Sequence, residues 1–154
     1  MTRKRKTKKK SNNSLSYESS VMKTLWDISQ SLYQYLNIDD LILHIIKKTK
    51  DVMKAEGVSV ILHDDRKNEF VFCWAESDPN GLVTKLKEIR FSADKGIAGS
   101  VFKSGKAELV ANIDKDPRHY KEIDVSTGFK TTSMIAAPLQ KKEKAIGVLE
   151  VLNK

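Results

Sequence analysis

A single cysteine, three histidines and three prolines in 154 residues leave little room for several kinds of chemistry. One thiol, Cys73, cannot close an internal disulfide, which fits a reducing, cytoplasmic compartment. His44, His63 and His119 are scattered, and no HExxH, CxxC or GxSxG spacing occurs. No catalytic residue, metal ligand or cofactor is therefore assigned, and the chain is not expected to be an enzyme. Residues 96–106, GIAGSVFKSGK, lack the GxxxxGK(S/T) order of a P-loop. No apolar stretch approaches the roughly 18–20 residues that cross a bilayer, so no membrane span is expected. The basic N-terminus is followed by polar residues 11–20, which argues against a secretory signal.

Charge is present in quantity, but it is unevenly placed. Of a formal net charge of +8, seven units come from Arg3, Lys4, Arg5, Lys6, Lys8, Lys9 and Lys10, leaving +1 for the remainder. A basic run of this kind attracts phosphates without selectivity. With no recognition motif or aromatic array beside it, it reads as a solvated tail and not as a specific nucleic-acid binder. Residues 1–19, rich in Lys, Ser and Asn, bury too little to offset the entropy of ordering and are expected to be disordered. Residues 20–154 have the length and composition of one domain with a single core.

Within that domain, Val21, Leu25, Ile28, Leu32 and Tyr35 recur at heptad spacing and predict a helix. The stripe suits either packing on the domain's own sheet or a helix-mediated homodimer. A second helix is expected to start at Asp39 as N-cap, with Leu41, Ile42, Ile45, Ile46, Val52 and Met53 on its apolar face. After Gly57 the period changes to that of strands. Residues 58–63 and 70–75 form a hairpin, a third strand lies near 86–91, and Asp94 is placed to cap a short helix that Gly105 ends. Two further strands, 134–139 and 145–152, flank a charged turn. Helices at the front and several short strands behind predict an α+β domain with a central, mainly antiparallel sheet of about six strands flanked by helices.

Three polar features call for an explanation. Glu150 shares a strand face with Ile146, Val148 and Leu152, so it is either a buried carboxylate that needs a donor or an exposed strand end. Asp124, Ser126, Thr127, Gly128, Thr131, Thr132 and Ser133 gather hydrogen-bonding groups just before a core strand, where turn and cap chemistry accounts for two or three of them. Gly96, Ile97, Ala98 and Gly99 open a helix whose free amides could face an anion. Together they describe a polar-lined pocket for a ligand with an anionic group and a hydrogen-bonding base. Cys73, inside an apolar strand, reads as a small packed hydrophobe.

Residues 91–106 (FSADKGIAGSVFKSGK), 112–139 (NIDKDPRHYKEIDVSTGFKTTSMIAAPL) and 146–154 (IGVLEVLNK) resemble the GAF family. The likeness is nearest to the cyclic-nucleotide-binding GAF domains of phosphodiesterases and cyanobacterial adenylyl cyclases. It implies a sheet with N-terminal helices on one face and a ligand pocket on the other. It also implies that Ser59, Asp124, Thr127, Thr131 and Glu150 supply polar contacts, while Ile97, Ala98 and Tyr120 lie near a cyclic phosphate or ribose. Bilin-binding relatives use a thioether cysteine near the pocket, which the His119 region lacks, and the free methionine sulfoxide reductase type uses several cysteines where this chain has one. Asn153 and Lys154 match the start of the family's NKFDE signature, and the rest of that signature, with a C-terminal helix, would follow Lys154. The expected role is a regulatory small-molecule sensor with cAMP or cGMP as ligand, homodimeric and coupled to an effector domain or partner signalling protein. The alternative is a dimerisation or interaction module of the same fold with no small-molecule ligand.

Overall fold

The computed structural model describes residues 19–30, 38–77, 86 and 89–154. Apart from Ser19, which is helical, the expected basic tail lies outside these residues, as do Leu32 and Tyr35 of the first apolar stripe. The chain divides into two bodies, Met1–Leu41 and Ile42–Lys154. In the first, residues 19–30 are helical (α1), with Leu25 and Trp26 54% and 65% exposed.

The second body is built on a six-stranded antiparallel sheet of order β3-β2-β1-β6-β5-β4. Its strands are β1 (Gly57–Asp64), β2 (Glu69–Ser77), β3 (Arg90–Ser92), β4 (Glu108–Val110), β5 (Met134–Lys141) and β6 (Lys144–Leu152). Its helices are α2 (Ile38–Met53), which belongs to this body from Ile42 on, α3 (Gly96–Ser104) and α4 (Lys121–Thr127), so the expected α+β architecture is present. Alternation divides β1 and β6 between two cores. Val58, Val60 and Val151 pack with Ile42 and Ile46 of α2 on one face. On the other face, Ile61 and Val148 join Ile97 and Val101 of α3.

A bulge explains how β2 serves both cores. The register with β1 shifts between Val60 and Ile61, so that Val60 pairs Trp74 but Ile61 pairs Phe72, and Cys73 is the extra residue. Phe70, Phe72 and Ala75 thereby lie in the α3 core, while Trp74 packs in the other. Phe70 meets Phe91 at a tilt and Phe102 edge-on, with centroids 5.4 and 5.3 Å away.

Several elements differ from the sequence expectation. Asp39 lies in the first turn of α2, which begins at Ile38. Asp94 does not cap α3: Lys95 holds the N-cap position, and Asp94 instead takes Lys103 at 2.6 Å and Asn68 at 3.1 Å. The third strand is shorter and later than expected, and β4 and α4 are additional. A Cβ at Gly99 would stand 2.7 Å from the Ala93 carbonyl, and its absence lets α3 lie against the turn before it. Gly105 ends α3 at φ 65° and donates to the Val101 carbonyl, as its position in the sequence suggests.

Candidate functional site

On the α3 face of the sheet a cavity of about 70 Å³ opens between β1, β6, α3, α4 and the loop that precedes α4. All eight residues singled out from the sequence border it. Ser59 and Glu150 rise from the sheet floor, and Ile97 and Ala98 stand at the start of α3. Tyr120, Asp124, Thr127 and Thr131 close the side formed by α4 and the strand after it. Phe72, Phe91, Ile113 and Phe129 supply apolar wall.

The floor follows from strand pairing. Ser59 of β1 and Ala136 of β5 are the direct cross-strand partners of Glu150, so the carboxylate stands between a hydroxyl and a methyl group. Glu150 is 6% exposed, and Ser59 Oγ donates to its Oε2 at 2.7 Å. Burial raises the Glu150 carboxyl to about 7, against the opposing pull of the Ser59 hydrogen bond. Of the two sequence readings for this residue, the buried carboxylate with a donor is the one observed.

The α4 wall is internally bonded. Asp124 accepts Thr131 N at 3.0 Å and Thr131 Oγ1 at 2.7 Å, which hooks the loop before β5 onto α4. Thr127 Oγ1 donates to the Ile123 carbonyl at 2.8 Å and accepts Phe129 N at 3.2 Å across the turn where Gly128 adopts φ 74°. These side chains therefore shape the wall while bordering the cavity. Tyr120 donates to Glu122, and its ring carries the Lys95 ammonium 5.1 Å from the centroid.

The loop before α4 is pinned from both sides. Ile113 is fully buried and its N–H donates to Thr132 O at 2.9 Å. Arg118 forks onto Asp116, at 3.0 and 2.8 Å, and reaches Ser100 and Glu108, each at 2.8 Å. The guanidinium holds the Asp116 carboxyl down to about 2.

Two residues have parts that sequence reasoning missed. Asn153 is a clamp: its Oδ1 accepts Thr132 N at 2.7 Å and its Nδ2 donates to Lys130 O and Glu56, fixing the 130–133 segment to the end of the sheet. His119 borders the cavity with its side chain 8% exposed. Its place directly before Tyr120 was the available signal. Among the described residues no group of His, Cys, Asp and Glu is arranged to hold a metal. No helix among them is long and apolar enough to cross a membrane.

The sequence profile described as "GAF domain" matches residues 31–154. The chain is 26% identical over 137 residues to the "Probable 3',5'-cyclic phosphodiesterase pde-5" of Caenorhabditis elegans, a match that takes in 84% of the chain and 19% of that protein. It therefore spans about a fifth of that relative's length. Among solved structures it is similar to the GAF domain of a phosphoenolpyruvate-protein phosphotransferase (ptsP) from Coxiella burnetii. That match has a TM-score of 0.78 and 18% identity and covers 88% of this chain and 78% of the other. It is also similar to free methionine-R-sulfoxide reductase from Neisseria meningitidis in complex with its substrate. Here the TM-score is 0.68 at 20% identity, with 84% and 71% of the two chains covered.

Proposed function

The chain belongs to the GAF domain family, a class of regulatory sensor and interaction modules, and from that premise we propose that it senses a small molecule, a cyclic purine nucleotide, on behalf of a signalling protein. The observation that carries this reading is the convergence of Ser59, Ile97, Ala98, Tyr120, Asp124, Thr127, Thr131 and Glu150 on one cavity. The Asp124 carboxylate accepts and cannot donate, while Glu150, raised to about 7, both donates and accepts near neutral pH, so the pair suits a purine edge that carries N–H donors beside ring or carbonyl acceptors. The first amides of α3 and the Lys95 ammonium suit an anionic group. At about 70 Å³ the cavity is smaller than the roughly 300–1,000 Å³ of drug-sized sites, so binding a whole nucleotide requires the α3 or α4 wall to move outward.

Calorimetric titration with cAMP and cGMP tests this reading, with a thermal shift as a second readout. Saturation at about 100 times the dissociation constant adds on the order of 2.7 kcal/mol to stability. Failure of both nucleotides to bind at millimolar concentration would sink the nucleotide assignment. The resemblance to a phosphodiesterase over part of its length, and the single thiol Cys73, support placement in the cytoplasm beside an effector domain or partner signalling protein.

A second reading, a dimerisation module, is favoured by the exposed Leu25 and Trp26 on α1. The two readings are compatible, since a ligand-sensing domain can transmit its state through a dimer.

A further inference from the structure

The wall between the cavity and the surface contains a side chain that the fold leaves without a hydrogen bond. The His119 side chain is 8% exposed, and neither Nδ1 nor Nε2 has a hydrogen-bond partner. Asp124 Oδ2 lies 3.4 Å from Nε2, without the alignment of a hydrogen bond. Both oxygens of that carboxylate are already engaged by Thr131. An unpartnered buried polar group costs roughly 1–3 kcal/mol, and such groups in native proteins call for a specific explanation.

The surroundings of His119 point to one. With Gly96 and Tyr120, it borders both the cavity and an outer groove of about 390 Å³. Lys95, Lys103 and Arg118 line that groove. Lys103 is paired with Asp94, and Arg118 with Asp116 and Glu108. Lys95, whose ammonium lies over the Tyr120 ring, sits at the N-cap position of α3, where the first helical amides lack intrahelical acceptors. The imidazole thus shares its groove with a positive helix end and a lysine and, among the described residues, lies with Gly96 and Tyr120 in the wall common to both spaces.

We infer that His119 is a ligand-binding residue. It donates an imidazole N–H to an anionic oxygen of a ligand that spans this wall, the ligand's ring system inside the cavity and its charged end toward Lys95. The inference rests on the small-molecule reading of the same cavity and names the residue that recognises the ligand's charge. It also relieves the volume problem, because the charged end then occupies the groove and only part of the molecule has to fit inside.

The test uses the full chain, as wild type, His119→Phe and His119→Gln, titrated with cAMP, cGMP, adenosine and guanosine. Inorganic phosphate serves as a second probe, read by the ring signals of His119 in nuclear magnetic resonance. The phenylalanine variant keeps the ring and removes both nitrogens. It should lose about tenfold in cyclic-nucleotide affinity, keep nucleoside affinity within about twofold, and melt no lower than wild type without ligand. The glutamine variant, which keeps a donor, should recover part of the loss. Unchanged cyclic-nucleotide affinity in His119→Phe overturns the inference and leaves the nucleotide reading standing, as does an equal loss for nucleosides. If neither cyclic nucleotide binds wild type, the nucleotide reading falls and phosphate decides for His119. A shift of its ring signals at concentrations on the order of tens of millimolar supports an anion contact, and no shift overturns it.

Discussion

Ser59 and Glu150, 91 residues apart in sequence, are direct partners across β1 and β6, and the serine hydroxyl donates to the carboxylate at 2.7 Å in the buried floor of the cavity. The site is organised around this pair, and it gives the domain a particular dependence on pH. Burial raises the Glu150 carboxyl from 4.5 to about 7, so between those values the folded state holds a proton that the unfolded state has released. The contribution to stability is complete below about pH 4.5 and is lost as pH rises through about 7. A shift of this size corresponds to a loss on the order of 3 kcal/mol. Urea melts of wild type and Glu150→Gln between pH 4.5 and 8 check it. The variant should be the more stable at pH 8 and close to wild type at pH 4.5, and parallel curves would refute the assignment.

Asp124 holds the α4 wall to the loop before β5 through two hydrogen bonds to Thr131. Asp124→Ala leaves the Thr131 amide and hydroxyl without their acceptor and should cost roughly 1–3 kcal/mol even in the absence of ligand. Chemical denaturation measures that loss. A variant as stable as wild type, yet defective in nucleotide binding, would instead assign Asp124 wholly to the ligand.

Gly147 lies in β6 where a Cβ would collide with the Ile61 carbonyl of the neighbouring strand. Because the obstacle is backbone in the middle of the sheet, Gly147→Ala should destabilise the domain by roughly 1–3 kcal/mol. Thermal or urea unfolding reads this directly, and a neutral substitution would mean that β1 and β6 separate more easily than their pairing indicates.

The apolar stripe of the first helix is expected to serve a homodimer. Ile28→Glu places a charge on the stripe and should shift the chain toward monomer in sedimentation velocity at tens of micromolar, roughly where modest interfaces associate. Wild type that is already monomeric there would refute the dimer and leave the stripe to packing within the chain.

Arg118 ties the loop before α4 to α3 and β4 through Ser100 and Glu108. Lysine cannot reproduce the two parallel bonds to Asp116. Arg118→Lys should therefore speed hydrogen exchange at residues 116–120 with little change in global unfolding, whereas unchanged exchange would show that the Ile113 anchor alone holds the loop.

The sequence by itself determined the strand periods, the glycine that ends α3 and the polar residues of the cavity, because those depend on local spacing and on backbone preference. Alternation in residues 144–152 already set Glu150 on one face of its strand. Which face was buried, and that Ser59 would meet it, depended on pairing between segments 91 residues apart. The same holds for β4, three residues long, whose hydrogen bonds come from β5, and for α4, seven residues long and tied to the loop before β5 through Asp124 and Thr131. Asp94 had the local chemistry of a cap, yet Lys103 and Asn68 drew it elsewhere. The signal for His119 in the sequence was its place directly before Tyr120. Only the tertiary structure, by closing α3, α4 and the loop between them over the sheet, decided that its ring would be buried without a partner, since burial and satisfaction are properties of everything packed around a side chain.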